Sequence, residues 1–231
     1  MLVADHHAVG RLRSGPHAVA RPIDPAQLRD RRGLRVGTVL TRARVTFVIL
    51  FMLVGAGCAP EKFRAADITG ANFAREFQLT GHDGKPRTLA DFRGKVVLLF
   101  FGFTHCPDIC PTTLAKFAQV EKQLGADANR VQFLFVTVDP ERDTPEVLAR
   151  YTSAFDFQVI GLSGDAEAIA RTAKEFKVIF QKQAGPTPQT YSVDHSAGTY
   201  VFDPEGRVRL FVSHNQSIDD LVHDIQLLLT S

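Results

Sequence analysis

The sequence predicts one α/β domain: a central, mostly parallel sheet with helices on both faces, an N-terminal β-hairpin and a late antiparallel hairpin. Three observations carry this reading. Val96-Val97-Leu98-Leu99-Phe100-Phe101 is an unbroken apolar run, the mark of a strand buried on both faces. Behind it, short apolar strands alternate with segments whose apolar residues recur at helical spacing, which implies parallel strands joined by helices. Near the end, two strand-like runs flank the turn Asp203-Pro204-Glu205-Gly206.

The elements follow in order. Residues 59–72 read as a linker and residues 73–231 as the domain. Phe77–Thr80 and Pro86–Thr88 flank the turn Gly81-His82-Asp83-Gly84, giving the first hairpin. The central run ends at Gly102, and Phe103–Thr113 leads into a helix with Leu114, Phe117, Ala118 and Leu124 on one side, stopping near Gly125. Val131–Val138 is the next strand. Thr144-Pro145 reads as a helix cap followed by proline at the first helical position, with Leu148, Tyr151 and Phe155 on the inner face. Val159–Leu162 is a short strand, and Ile169, Ala173 and Phe176 mark a third helix. A Pro/Gly/Gln stretch, Gln183–Gln189, interrupts the pattern. Strands Thr199–Phe202 and Val208–Val212 follow, then a helix carrying Ile218, Leu221, Ile225 and Leu228. A thioredoxin-like fold satisfies this order. The chain has no internal repeats, no GxGxxG and no P-loop.

Composition excludes several functions. Of the 231 residues 45% are hydrophobic and 23% charged, ordinary globular proportions that rule out a mainly disordered or multi-span membrane chain. Residues 1–44 hold nine Arg, no Lys and three Asp. The chain total is only +2, so the remainder is net acidic and nucleic-acid binding by the folded part is not expected. Three cysteines are too few for a disulfide scaffold or a Cys-ligated iron–sulfur cluster. Everything after Met52 lacks Met and Trp, which excludes a blue-copper site with an axial methionine.

The N-terminus reads as an address. Arg31, Arg32, Arg35, Arg42 and Arg44 precede the apolar run Val45–Val54, then Gly55-Ala56-Gly57 and Cys58. A basic flank, a short apolar run and a small-residue exit are the layout of a secretory signal. The end resembles a lipoprotein signal in which Cys58 is lipidated, although Gly55 stands where such signals carry a branched residue. An uncleaved signal-anchor and simple secretion are the alternatives. All three put the domain outside the cytoplasm. Residues 1–30, rich in His, Arg and Pro, carry no apolar periodicity and are a disordered arm or a misassigned start.

The chemistry concentrates at Cys106 and Cys110, between a buried strand and a helix start, where backbone N–H groups favour thiolate. A spacing of four puts both sulfurs on one helical face, compatible with a disulfide or with a shared soft metal ion. A thiol–disulfide oxidoreductase ordinarily has two residues between its cysteines, not three, which argues for metal. Asp108 between them is a solvated turn residue or tunes the thiols. Among the histidines, His82 and His223 read as solvated, His214 as a loop residue, and His105 as badly placed to ligate beside Cys106. His195 precedes the strand Thr199–Phe202, in the segment Ser192-Val193-Asp194-His195-Ser196. That loop faces the cysteine turn in a thioredoxin fold, so His195 is either a ligand or a hydrogen-bonded loop histidine. No proline immediately precedes Thr199, whereas thioredoxins carry one there, which leaves room for a metal.

Three stretches resemble the signature of the Sco/SenC family: Phe101–Thr113, Val138-Asp139-Pro140-Glu141-Arg142-Asp143-Thr144-Pro145, and Asp194-His195-Ser196. The likeness runs from about Phe77 to the C-terminus with Phe103 where the family often has Tyr. These are copper-binding, thioredoxin-like proteins associated with assembly of the dinuclear copper centre of cytochrome c oxidase subunit II. The resemblance implies copper ligands Cys106, Cys110 and His195. Two thiolates suit Cu(I), and an imidazole lets the site hold Cu(II) as well. Zinc is the competing ion, but nothing nearby reads as the general base of a zinc enzyme. The Asp139–Pro145 segment reads as structural, with Asp143 or Thr144 as helix cap and Arg142 paired to an acid.

Two functions follow. One is a metallochaperone that takes copper from a donor protein and passes it to the subunit II copper domain. The other is a thiol–disulfide reductase, with Cys106 and Cys110 as redox pair, that keeps the target's cysteines reduced and draws on a thiol reductant. Either implies a periplasm-facing domain at the cytoplasmic membrane, touching it only through the N-terminal segment, with no nucleic-acid partner.

Overall fold

The computed structural model describes residues 61–187 and 190–230. The arm 1–30, the apolar run Val45–Val54 and Cys58 lie outside the described residues. No helix among the described residues is long and apolar enough to cross a membrane.

Strands β1 (Ala66–Asp67), β2 (Gln78–Gly81), β3 (Pro86–Thr88), β4 (Val96–Gly102), β5 (Val131–Thr137), β6 (Val159–Ser163), β9 (Thr199–Phe202) and β10 (Val208–Val212) form one eight-stranded sheet in the order β1-β10-β9-β4-β5-β6-β2-β3. Its heart, β4-β5-β6, is parallel, and antiparallel strands extend it on both sides. Val96–Phe101 are each at most 1% exposed, as an unbroken apolar run demands. Full burial of each such side chain is worth about 1.5–3 kcal/mol.

Among the described residues four α-helices cover this sheet: α1 (Ile109–Leu124), α2 (Pro145–Ser153), α3 (Ala166–Glu175) and α4 (Ile218–Thr230). Ring contacts assign the faces. Phe117 of α1 meets Phe133, and Tyr151 of α2 meets Phe135, on one face. Phe176, at the end of α3, meets Phe101, Tyr200 and Phe202 on the other. Both crossovers step in the same direction along parallel strands β4-β5-β6, and the general right-handed preference for such connections then puts α1 and α2 on one face. Thr144 caps α2 by accepting from Val147 N, with Pro145 next, and Asp165 caps α3 by accepting from Ala168 N.

Two features go beyond the expected pattern. Part of the stretch read as a linker joins the sheet: β1 pairs with β10, and Asp224 of α4, fully buried, accepts hydrogen bonds from Arg64 N and Ala65 N. Two residues are too short a strand to leave a periodic signal. The segment around the Pro/Gly/Gln stretch is flanked by strands β7 (Phe180–Gln183) and β8 (Ser192–His195), a two-stranded sheet separate from the main one. His195 therefore ends a strand rather than lying in a loop.

Topology then brings distant segments to one place. The β4–β5 register sets Gly102 beside Thr137, and the β4–β9 register sets Phe100 beside Thr199. Three connections converge there at the carboxyl end of the parallel strands: the cysteine loop, the β5–α2 loop and the chain entering β9. This is the end where open α/β sheets place ligands.

Candidate metal centre

Gly102 closes β4, and a Cβ there would stand 2.7 Å from Cys110 Sγ and 2.7 Å from a carbon of the Phe135 ring. Absence of a side chain lets the sulfur and the ring pack against the strand end. The chain then turns through Phe103 and Thr104 to Cys106, half-buried, and Cys110, wholly buried as the second residue of α1; both thiols are free. Cys110 N donates to Cys106 Sγ at 3.4 Å across the bend at Pro107 and Asp108; the helix begins only at Ile109, so Cys106 precedes it and the two sulfurs do not share a helical face.

His195 reaches the pair from β8. Its Nδ1 lies 3.0 Å from the Ser196 carbonyl, which only accepts, so Nδ1 carries the proton. That leaves the Nε2 lone pair facing Cys110 Sγ at 3.5 Å. Phe100 and Phe103 flank the imidazole edge-on at 6.0 and 5.9 Å. The Cys106, Cys110 and His195 ligand atoms all lie within 4.8 Å of one another, a group able to hold a metal ion.

Electrostatics corrects one expectation. Burial pushes the Cys110 thiol far above its ordinary value, a hydrogen bond with the Phe103 backbone pulls it down, and the neighbouring Cys106 adds to the rise. Desolvation therefore outweighs the helix start at this sulfur, and a compensating cation is what would make it a thiolate. Burial also holds His195 below the ordinary histidine value, against the pull of its bond to Ser196. A neutral imidazole is the form that binds metals.

The β5–α2 loop ties the two ligand-bearing pieces together. Asp143, completely buried, accepts from Thr104 N at 3.0 Å, Thr104 Oγ1 at 2.6 Å and Thr137 Oγ1 at 2.6 Å, which pins the cysteine loop. Asp139, also buried, pairs with Arg142 and accepts from the Tyr191 hydroxyl. Arg142 in turn donates to Tyr191 O at 2.9 Å and lies 3.6 Å over the Tyr191 ring, which pins the segment leading into β8. The Arg142 pairing is as expected. Asp143 is not the helix cap; Thr144 is. The signal for this role was two acids four apart around an arginine, directly after a buried strand.

The other expected residues fall outside the cluster. Asp108 is exposed and heads α1 without a side-chain cap. His105 is exposed, its Nδ1 3.1 Å from Thr104 Oγ1, and His214 Nδ1 meets Thr113 Oγ1 at 3.2 Å. His82 and His223 are not solvated. His82 Nδ1 accepts from Gly161 N, because the hairpin turn packs on β6. His223 bridges Asp224 and Glu61, because the incoming chain is bound to α4.

A thioredoxin-like domain with a Cys₂His group at its βα turn is thus the class of protein. The family model SCO1/SenC matches residues 65–230, and the chain belongs to that family. It is 43% identical over 153 residues to the mitochondrial SCO2 homolog of Bos taurus, covering 65% of this chain and 58% of that one. The chain thus matches less than two thirds of that relative's length. Among solved structures, apo Sco1 of Thermus thermophilus is 43% identical with a TM-score of 0.67, covering 74% of this chain and 100% of that one. Bradyrhizobium japonicum ScoI with copper bound is 38% identical with a TM-score of 0.61, covering 65% and 96%.

Proposed function

We propose that this protein is a copper carrier for assembly of the dinuclear copper centre of cytochrome c oxidase subunit II, with Cys106, Cys110 and His195 as its copper ligands. The observation that carries this reading is the convergence of two thiols and one correctly tautomerised imidazole from segments 85 residues apart. Two soft sulfurs favour Cu(I), and the imidazole accommodates Cu(II). A relative of the same fold, 38% identical, is described with copper bound. Copper is cargo here: it arrives from a donor protein and leaves by ligand exchange to the subunit II copper domain. Residues 1–58 would serve as export segment and anchor, through lipid on Cys58 or an uncleaved helix, holding residues 73–231 on the periplasmic face of the cytoplasmic membrane. Tethering raises the effective concentration beside a membrane-bound acceptor.

The test is an anaerobic Cu(I) titration of the reduced protein against a chromophoric competitor. One tight equivalent, weakened in His195→Ala, supports the carrier. Weak or multiple binding indifferent to His195 sinks it.

A second reading rests on the free pair itself. Cys106 is the more exposed sulfur and accepts the Cys110 N–H, which suits it to attack a target disulfide while Cys110 resolves the mixed disulfide. Two electrons from a thiol reductant would restore the dithiol. Thiol exchange that survives His195→Ala while copper binding is lost would favour this role.

A further inference from the structure

The end of the sheet remote from the metal centre carries a cleft of its own. The β4–β9 register runs from Phe100 beside Thr199 to Val97 beside Phe202, so the turn Asp203–Gly206 and the start of β10 lie at the far end of the strands. β1 runs antiparallel to β10, and Ile68 N donates to Arg209 O, which brings the segment after β1 to the same end. Between the two lies a cleft of about 580 Å³, the size of a small-molecule pocket. Arg75, Arg207 and Arg209 line it beside Thr69, Ala71 and Val208, and among the described residues no carboxylate does. Gly70 and Gly206, both in the left-handed conformation that their turns require, complete the wall without side chains.

The carboxylates hold the arginines without entering the cleft. Asp203, 1% exposed, accepts from Arg207 N, Arg207 Nε and Arg209 Nη1. Arg209 Nε also donates to Thr69 Oγ1 at 2.9 Å, and its guanidinium lies 5.5 Å from the centre of the Phe63 ring. Arg209 is thereby fixed in one orientation. One buried carboxylate is shared by two guanidiniums, so it cannot neutralise both. Exposed Glu205 bonds to Arg207 at 2.9 Å and offsets part of the surplus. Arg75 makes no side-chain hydrogen bond among the described residues, with Glu175 3.7 Å from its Nε.

Arginines anchored outside a cleft and facing into it suit an anion. Each guanidinium presents N–H groups in a planar fork that matches phosphate oxygens, and side chains already held lose little freedom on binding. A phosphate ester offers three acceptor oxygens, enough to engage arginines from two segments at once. The cleft exceeds a bare phosphate in size, and Ala71 and Val208 supply apolar surface for a short organic group. We infer that the cleft between residues 69–75 and 206–209 binds an organic phosphate, either a soluble ester or the headgroup of an anionic phospholipid. This inference does not rest on the copper reading. The two sites lie at opposite ends of the sheet, and either can fail alone.

The probe is sn-glycerol 3-phosphate, titrated into the full chain in neutral-detergent micelles. Saturable shifts of the Gly70 and Gly206 amide resonances are expected. Arg75→Gln combined with Arg207→Gln should weaken binding by at least about tenfold, the worth of a charge-assisted bond. Arg75→Gln alone breaks no hydrogen bond and should weaken it by about threefold, which keeps the test valid should the double variant unfold. A second arm places the full chain in phosphatidylcholine nanodiscs with and without phosphatidylglycerol. Shifts of the same amides that require phosphatidylglycerol identify a lipid headgroup as ligand, and shifts with the soluble ester alone identify a soluble phosphate. Failure of both probes to saturate would overturn the inference, as would equal binding by wild type and Arg75→Gln. Shifts spread over every exposed cation would also overturn it, since they mark charge screening and not a site.

Discussion

The cysteine loop grows directly out of β4, every residue of which is buried, whereas the β7–β8 hairpin that carries His195 belongs to no part of the main sheet. Behind the loop lie Gly102, the Phe135 ring and Asp143, which is fully buried and accepts three short hydrogen bonds. The hairpin is tied on by Arg142, Tyr191 and Asp139 and by two edge-on ring contacts, and most of its own residues are exposed. One half of the site is thus part of the core and the other is fastened to it. In the carrier reading, sulfurs seated on the core would keep their spacing while a ligand on a separate piece is withdrawn.

The contrast can be broken or sharpened by substitution. Cys110→Ser removes the sulfur that faces His195 Nε2, and in the copper-site reading Cu(I) affinity should fall beyond the about hundredfold that losing an outer hydrogen-bond partner costs. Competitor titration reads this, and a retained tight equivalent would dissolve the comparison. Asp143→Ala leaves the Thr137 hydroxyl and the Thr104 N–H and hydroxyl without their acceptor. Urea denaturation should show a loss of about 3 kcal/mol. His195→Ala should weaken Cu(I) by about tenfold to a hundredfold yet change unfolding free energy by less than about 1 kcal/mol, because the imidazole is half-buried and Val193, not His195, seats the hairpin in the core. An equal loss of stability at positions 143 and 195 would show that the two halves are held alike.

Smaller effects test the fastening itself. Burial and the bond to Asp139 push the Tyr191 hydroxyl up to about 12, so it remains a donor throughout the physiological range. Tyr191→Phe removes that bond at a cost of about 1 kcal/mol. Amide exchange should quicken in 192–195 while 96–102 stays protected; equal quickening in both would refute separate attachment. The smallest effect is expected far from the site, at the chain's entry. Hydrogen bonds to Asp224 and Glu61 hold His223 above the ordinary histidine value. Its contribution is complete below about pH 6.5 and is lost as pH rises through the raised folded value, because the folded state then gives up the proton that made those bonds. Stability of the wild type should decline across that window, and His223→Gln should remove the slope.

Much of this was legible in the residues. The apolar run 96–101, the helix start at Thr144 and the turn 203–206 each announce an element through local chemistry. The cysteine pair announces its place at a βα turn. The short strands β1, β7 and β8 were not legible, since two to four residues with mixed polarity carry no periodicity. Nor was Asp143, which by position reads as a helix cap. Its burial depends on Thr104 and Thr137, and no spacing rule connects those three.

By itself the sequence determined the order of the longer strands and of the helices, the family and the presence of two cysteines four residues apart at a βα turn, because each depends on residues near one another in the chain. The tertiary structure alone decided which nitrogen of His195 faces Cys110, that burial rather than the helix start governs that sulfur, and that Asp139, Asp143 and Tyr191 bind the halves together. Those outcomes depend on desolvation and on hydrogen bonds between segments 39 to 85 residues apart, which exist only after the sheet sets Gly102 beside Thr137 and Phe100 beside Thr199.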